Sequence, residues 1–126
     1  MSRSIIIKKP GGPNVLELTD TKVGSPGPNE IKITNLAIGL NYIDTYHRSG
    51  LYSLPMPSGI GLEAAGKIDE VGVNVKEFNK GDNIAYASMP IGAYAQQRII
   101  PEKIAVKIPD GINHKMAASL MTKGLT

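Results

Sequence analysis

The sequence predicts a single, mainly β domain rich in turns, and three observations support this. Short runs in which apolar and polar residues alternate recur along most of the chain, a pattern typical of strands with one buried face. The chain contains 14 glycines and 9 prolines, many of them between those runs, where they favour turns over helix. Its 126 residues suit one domain and are enough to form an independent core.

Seven segments carry the strand pattern. They are residues 3–8, 15–19, 30–36, 62–73, 83–87, 92–100 and 103–108. The first two are predicted to form a hairpin around Gly11-Gly12-Pro13, and residues 24–29 read as a loop. The 62–73 strand has a centre of small residues, 64–66, which should let a neighbouring segment approach closely.

Two short helices interrupt this pattern. Asn41 can cap the first helix, and Asp44 three residues later forms a loose capping box with it. Tyr42 and Tyr46 lie four residues apart and so share one helical face, and Gly50 ends the helix. A second helix is expected over residues 114–121, capped by Asn113.

The composition excludes several classes of protein. There is no cysteine, which rules out disulfides, thiolate zinc sites and a cysteine nucleophile, and favours the reducing cytoplasm. The net charge of +3 is spread along the chain with no basic run longer than Lys8-Lys9, so we expect no nucleic-acid binding. No apolar run approaches the ~20 residues needed to span a bilayer, and the N-terminus lacks the apolar core of a signal peptide.

Residues 59–64, Gly-Ile-Gly-Leu-Glu-Ala, match the G-x-G-x-x-A pattern of dinucleotide-binding loops. That motif binds pyrophosphate only where a strand enters the turn and a helix leaves it. Here a double-proline loop enters and a strand is predicted to leave. The structural interpretation, glycines in a tight entry to a strand, is therefore preferred.

Two carboxylates and two histidines are candidate site residues. Asp44 and Glu63 could form a catalytic pair, but a capping and ion-pair role is favoured because Asp44 falls in the first helical turn. His47 and His114 lie far apart in the sequence, and a metal site needs three or four ligands. Both are expected at the surface or rim.

The richest cluster of functional groups lies at the first helix and the loop after it. Three of the five tyrosines, Tyr42, Tyr46 and Tyr52, fall there together with Arg48. One interpretation is a helix that packs its aromatic face on a barrel. The other is a flat aromatic slot with hydroxyl and guanidinium donors at its rim, suited to a planar carbonyl compound.

The same region resembles the bacterial NADPH:quinone oxidoreductases of the medium-chain dehydrogenase/reductase superfamily. The resemblance begins at Gly39-Leu40-Asn41-Tyr42-Ile43-Asp44-Thr45-Tyr46-His47-Arg48-Ser49-Gly50-Leu51-Tyr52. It continues in the same order through residues 57–66, 71–72 with 75, 81–82, 92–95, 108–110 and 123–126. It covers nearly the whole chain.

The resemblance implies a fold and a cofactor. The fold is a GroES-like, partly open β-barrel with short helices, followed in the family by a Rossmann domain that this chain would lack. The chain, 1–126, would then be the N-terminal substrate-side domain, truncated before the nucleotide-binding domain. Hydride would come from NADPH, most of whose site lies in that second domain. The residues implied on the nicotinamide side are Asn41, Tyr42, Ile43, Asp44, Thr45, Tyr46 and Thr126.

The resemblance also implies a zinc-independent reaction. Zinc-dependent relatives place a cysteine where this chain has Asn41 and a histidine where it has Leu62, so no metal site is expected. A quinone is already a strong electrophile and needs mainly stacking and hydrogen-bond donors. Tyr46, Arg48 and Tyr52 are our hypothesis for the catalytic groups that hold or polarise it.

Two alternatives remain open at this stage. The chain could be a stand-alone GroES-like binding or assembly module, or part of a related reductase acting on other conjugated carbonyls. The C-terminal residues 121–126 are helix-like and apolar, which favours truncation and hence a fragment inactive alone. The face that would meet the missing domain should expose apolar residues and promote self-association.

Overall fold

The structure, a computed structural model, describes residues 2–124, with side chains described through Ser119. Eight strands and two α-helices account for most of this range. The strands are β1 (Ser2–Ile7), β2 (Glu17–Thr21), β3 (Glu30–Gly39), β4 (Ser58–Gly59), β5 (Glu63–Val71), β6 (Asn83–Ala87), β7 (Gln97–Pro101) and β8 (Val106–Lys107). The helices are α1 (Tyr42–Ser49) and α2 (His114–Gly124), and short 3₁₀ turns cover Pro13–Val15 and Glu102–Ile104.

The strands form two antiparallel sheets joined along one side. One sheet has the order β2-β1-β4 and the other β7-β3-β5-β6-β8. Residues 94–96 connect them, because Ile5 N donates to Tyr94 O at 2.8 Å and Asn35 N donates to Gln96 O at 2.8 Å. Over the described residues the result is a barrel that stays partly open, as the family resemblance implied.

The core lies inside the five-stranded sheet and follows the predicted alternation. Ile31 and Ile33 of β3 are fully buried and pack with Ile68, Ile84 and other residues of the same cluster. A bulge between Asn35 and Ala37 then shifts the register of β3 against β5. Such an extra residue bends a strand and re-aims its side chains. The strand continues through the bulge to Gly39, beyond its predicted end at Leu36.

The small-residue centre of β5 has the predicted effect. A Cβ at Gly66 would collide with the backbone carbonyl of Thr34, so only glycine permits the approach of β3 at that point. On the other face, α2 packs through Ala117 and Ala118 onto Ala65 and Ala85. Asn113 caps α2 as predicted, accepting a hydrogen bond from Met116 N at 2.8 Å.

Two predicted strands are shorter than expected. Residues 92–96 are not part of a strand, apart from an isolated bridge between Ser4 and Ala95, because this segment crosses from one sheet to the other. The predicted strand 103–108 consists of a 3₁₀ turn and the two residues of β8. No helix within residues 2–124 is long and apolar enough to cross a membrane.

Candidate active site

Helix α1 begins where β3 leaves the sheet, and its first turn has the predicted capping residues. Asn41 is the N-cap in extended backbone, and its N–H donates to Asp44 Oδ2 at 3.1 Å. Gly50 ends the helix with φ 91°, a left-handed conformation that glycine adopts without strain. The start of α1 is therefore fixed locally by Asp44.

Asn41 also binds the second buried carboxylate. Its Nδ2 donates to Glu63 Oε1 at 2.9 Å, and Glu63 and Asp44 are 1% and 4% exposed. Gly39 makes room for this arrangement, since a Cβ there would overlap the Glu63 side chain. Asp44 and Glu63, which the sequence offered as a possible pair, are thus joined by hydrogen bonds through Asn41. The capping role predicted for Asp44 is present.

A third residue, Tyr94, completes this group. Its hydroxyl donates to Asp44 Oδ2 at 2.6 Å, so this oxygen accepts two hydrogen bonds. Asp44 Oδ1 has no hydrogen-bond partner among the described residues. Burial, and then the hydrogen bond and charge of Asp44, raise the pKa of Tyr94, while the nearby Arg48 acts in the opposite direction. Tyr94 therefore stays a protonated donor at neutral pH.

The aromatic face of α1 is exposed to solvent. Tyr42, Tyr46 and Tyr52 are 83%, 38% and 50% exposed, and the rings of Tyr46 and Tyr52 meet edge to face with centroids 5.6 Å apart. Packing of this face on the barrel is therefore not observed. The helix instead turns Asp44 inward together with His47, which is 7% exposed. The rim position expected for His47 is wrong, since residues three apart share a helical face.

Arg48 binds the segment that follows β1. Its Nε donates to Gly11 O at 3.2 Å, and its own backbone carbonyl accepts from Gly11 N at 2.9 Å. These contacts tie the end of α1 to the segment that follows β1. The structure thus brings Tyr46 and Tyr52 together and positions Arg48 toward Gly11.

The remaining predicted site residues differ in their surroundings. Thr45 is exposed, and its hydroxyl donates to Tyr42 O at 2.6 Å, while Ile43 is half-buried. Thr126 lies outside the described residues. Within the described part of the chain, no three His, Cys, Asp or Glu residues come close enough to hold a metal ion.

Comparison with known proteins places this arrangement in a family. Residues 27–110, two thirds of the chain, match the alcohol dehydrogenase GroES-like domain. The chain belongs to that family. The family resemblance found at residues 39–52 is thereby confirmed, and so is the mainly β, GroES-like fold.

The relatives of this GroES-like domain are reductases. Over 100% of its length it is 49% identical to quinone oxidoreductase of Pseudomonas aeruginosa and 45% identical to quinone oxidoreductase 1 of Escherichia coli. It is 39% identical to 2-haloacrylate reductase of a Burkholderia species. The chain spans 39% to 40% of the length of each of these proteins.

Solved structures of quinone oxidoreductases have the same fold over this domain. The quinone oxidoreductase of Pseudomonas syringae superposes with a TM-score of 0.96 at 47% identity, over 99% of this domain and 39% of that chain. The Escherichia coli quinone oxidoreductase in complex with NADPH superposes with a TM-score of 0.95 at 44% identity, over 99% of this domain and 38% of that chain.

Sequence reasoning missed the role of Tyr94. It lies 50 residues after Asp44, in a stretch predicted as ordinary strand. It lies within residues 92–95 of the family resemblance, but no local pattern shows its contact with Asp44, because that contact joins distant segments.

Proposed function

We propose that this domain is the substrate-side part of an NADPH-dependent quinone reductase and that a second, nucleotide-binding part completes the cofactor site. The observation that carries the proposal is the exposed tyrosine face of α1 beside the buried Asn41 group. An exposed aromatic face next to fixed polar groups suits a planar ring that must be held and oriented. The likeness to quinone oxidoreductases over the whole chain supports the same conclusion.

The described residues fit the nicotinamide end of such a cofactor. The first turn of α1 presents the exposed Tyr42 and Thr45, and residues 41–46 form this side of the proposed site, with Thr126. The G-x-G-x-x-A segment does not cradle phosphate, since strand β5 and not a helix follows it. The phosphates would then be held by the second part of the protein. When bound, the cofactor would supply the hydride.

The acceptor would be a quinone held against Tyr46 and Tyr52. Reduction adds a hydride and a proton to the quinone, and charge develops on a carbonyl oxygen. Phenolic hydroxyls can donate hydrogen bonds to that oxygen. Arg48, whose Nε donates to Gly11 O, is the third group proposed to hold or polarise the quinone. With Asn41 and Leu62 in place of metal ligands, we propose that the reaction needs no zinc, and the absence of cysteine supports a cytoplasmic location.

A related reductase acting on other conjugated carbonyls is the second candidate. It is favoured by the 39% identity to 2-haloacrylate reductase. A stand-alone binding module is the third, and it would require the 126-residue chain to bind its ligand without any further domain.

A chimera tests the proposal. This chain would replace the matching segment of the Pseudomonas aeruginosa quinone oxidoreductase, and quinone-dependent oxidation of NADPH would be followed by absorbance. We expect the chimera to reduce quinones and the isolated 126-residue chain to show no turnover. A chimera that folds and binds NADPH but reduces only 2-haloacrylate would favour the second candidate. Ligand binding by the isolated chain, together with a folded chimera that binds NADPH and reduces neither substrate, would favour the module.

Substitutions in the chimera test the assigned catalytic groups. Tyr52→Phe and Arg48→Ala are each expected to lower kcat/KM for the quinone about tenfold. This corresponds to a loss of ~1.4 kcal/mol of transition-state stabilisation when one hydrogen-bond donor is removed. Tyr86→Phe, inside the sheet and remote from α1, is the control. Wild-type quinone turnover in both site variants would contradict the assignment.

A further inference from the structure

The hydroxyl of Tyr94 joins the segment that connects the two sheets to helix α1, because it donates a hydrogen bond to the buried carboxylate of Asp44. The two hydrogen bonds accepted by Asp44 both fall on Oδ2, from Tyr94 at 2.6 Å and from Asn41 N–H at 3.1 Å. Its other oxygen has no partner among residues 2–119. Tyr94 therefore provides one of the two hydrogen bonds that the Asp44 carboxylate accepts from the described residues, and hydrogen bonds to a buried charged group are the strong ones.

Tyr94 is itself rigidly placed. Its backbone N–H donates to Ile60 O at 2.9 Å, and its carbonyl accepts from Ile5 N at 2.8 Å. Its ring lies against Gly61, where a Cβ would overlap ring atom Cδ1. Gly61 has φ +97°, a region that favours glycine. The hydroxyl thus comes from a part of the barrel that is fixed independently of α1.

We infer that Tyr94 is a positioning residue for the reaction proposed above. Through Asp44 it holds the backbone N–H of Asn41, and hence the first turn of α1, in the geometry that the cofactor and the acceptor require. The inference rests on the proposed function. It adds a residue from outside α1 to a site otherwise made of residues 41–52 and 126. Because hydride transfer depends steeply on alignment, a loosened first turn should reduce the rate of the chemical step more than it weakens quinone binding.

Tyr94→Phe in the chimera tests this, since it removes the hydroxyl and keeps the ring against Gly61. We expect kcat to fall about tenfold and KM for the quinone to change less than twofold. In an Asp44→Ala background, Tyr94→Phe should lower kcat less than twofold further, because the partner through which it acts is gone. An unchanged kcat in the single variant, or losses that simply multiply in the double variant, would overturn the inference.

Tyr86→Phe is the matched control. Its hydroxyl also makes a buried hydrogen bond, to Asn35 Oδ1 at 3.0 Å, and Asn35 donates to the carbonyls of Ala93 and Ala95 on either side of Tyr94. The variant therefore perturbs the same segment and leaves the contact with Asp44 in place. It should lower the melting temperature and leave kcat within twofold of the unmodified chimera. An equal loss of kcat in Tyr86→Phe would show that Tyr94 matters only for general stability.

A second readout does not depend on activity. In the 126-residue chain, Tyr94→Phe should speed hydrogen exchange of the Asn41 amide at least tenfold, while the amide of Ile33 in β3 and the Tyr86→Phe chain show no such change. If the unmodified chimera is inactive, the proposed function fails and the exchange measurement alone decides whether Tyr94 holds Asn41. Unchanged exchange at Asn41 would overturn the inference whatever the chimera does.

Discussion

The interior of the five-stranded sheet and the entry to α1 each bury a tyrosine hydroxyl, and the two regions use it differently. In the sheet, Tyr86 is fully buried and donates to the neutral amide of Asn35, whose Nδ2 donates to the carbonyls of Ala93 and Ala95. In that pair the Tyr86 hydroxyl and both polar atoms of the Asn35 amide are hydrogen-bonded, and the Arg98 guanidinium lies over the Tyr86 ring. At α1, Tyr94 donates to a carboxylate whose other oxygen has no partner within the described part of the chain.

The difference separates a group that stabilises the fold from one that holds a site. A fully paired buried network adds rigidity, whereas a buried charge with an unpaired oxygen is costly to maintain. Natural proteins tolerate such costs mainly at functional sites. The comparison therefore predicts that changes in the sheet affect stability alone, and changes around Asp44 affect stability and site geometry together.

The largest expected effect is on stability, from a truncation in the sheet. Ile33→Ala removes a fully buried side chain from the core and should lower the free energy of unfolding by about 3 kcal/mol, as for other large-to-small core changes. Urea unfolding of the 126-residue chain would measure it. After correction for the lower global stability, the rate of hydrogen exchange at the Asn41 backbone amide should equal that of the unmodified chain. A selective change at Asn41 would break the separation of the two regions.

Gly61→Ala should affect both stability and the site. An alanine there takes on the cost of positive φ and displaces the Tyr94 ring, so we expect a loss of about 2 kcal/mol together with faster exchange of the Asn41 amide. Gly81→Ala is the control, because Gly81 has φ +92° but nothing within 4 Å of an added Cβ. It should lose about 1 kcal/mol and leave Asn41 unchanged. Equal behaviour of the two variants would contradict the role of the Tyr94 ring.

A smaller effect is expected at alkaline pH. Burial raises the pKa of Tyr86 and of Tyr94 above the usual value of 10.0, so both stay protonated in the native state while the unfolded chain ionises. This contribution to stability is complete below pH 10 and is lost as the pH rises toward the native pKa values. Unfolding free energies between pH 9 and 11.5 should therefore fall less steeply in Tyr94→Phe than in the unmodified chain. Identical slopes would contradict burial of the Tyr94 hydroxyl.

The smallest effect concerns the surface between the two regions. Leu36 at the bulge of β3, Ile38 in the same strand and Leu40 just after it are 53%, 41% and 75% exposed. A contiguous apolar surface promotes association, so the 126-residue chain should self-associate at high concentration in sedimentation, and Leu36→Lys with Ile38→Lys should weaken this. A clean monomer for the unmodified chain would contradict the prediction.

Much of the architecture followed from the sequence alone. Alternation placed the strands that form the core, Asn41 and Asn113 marked the starts of both helices, and the glycines and prolines marked the turns. These features are local, since a strand's periodicity or a helix cap depends on residues a few positions apart. The family resemblance at residues 39–52 was local in the same sense.

The tertiary structure decided what those elements do together. It turned His47 inward, exposed the tyrosine face of α1, joined Asp44 and Glu63 through Asn41, and brought Tyr94 to Asp44 from 50 residues away. None of these contacts has a sequence signature, because each depends on how the bulge in β3 and the segment between the sheets direct the chain. Burial and pairing of polar groups are set by the packing of distant segments.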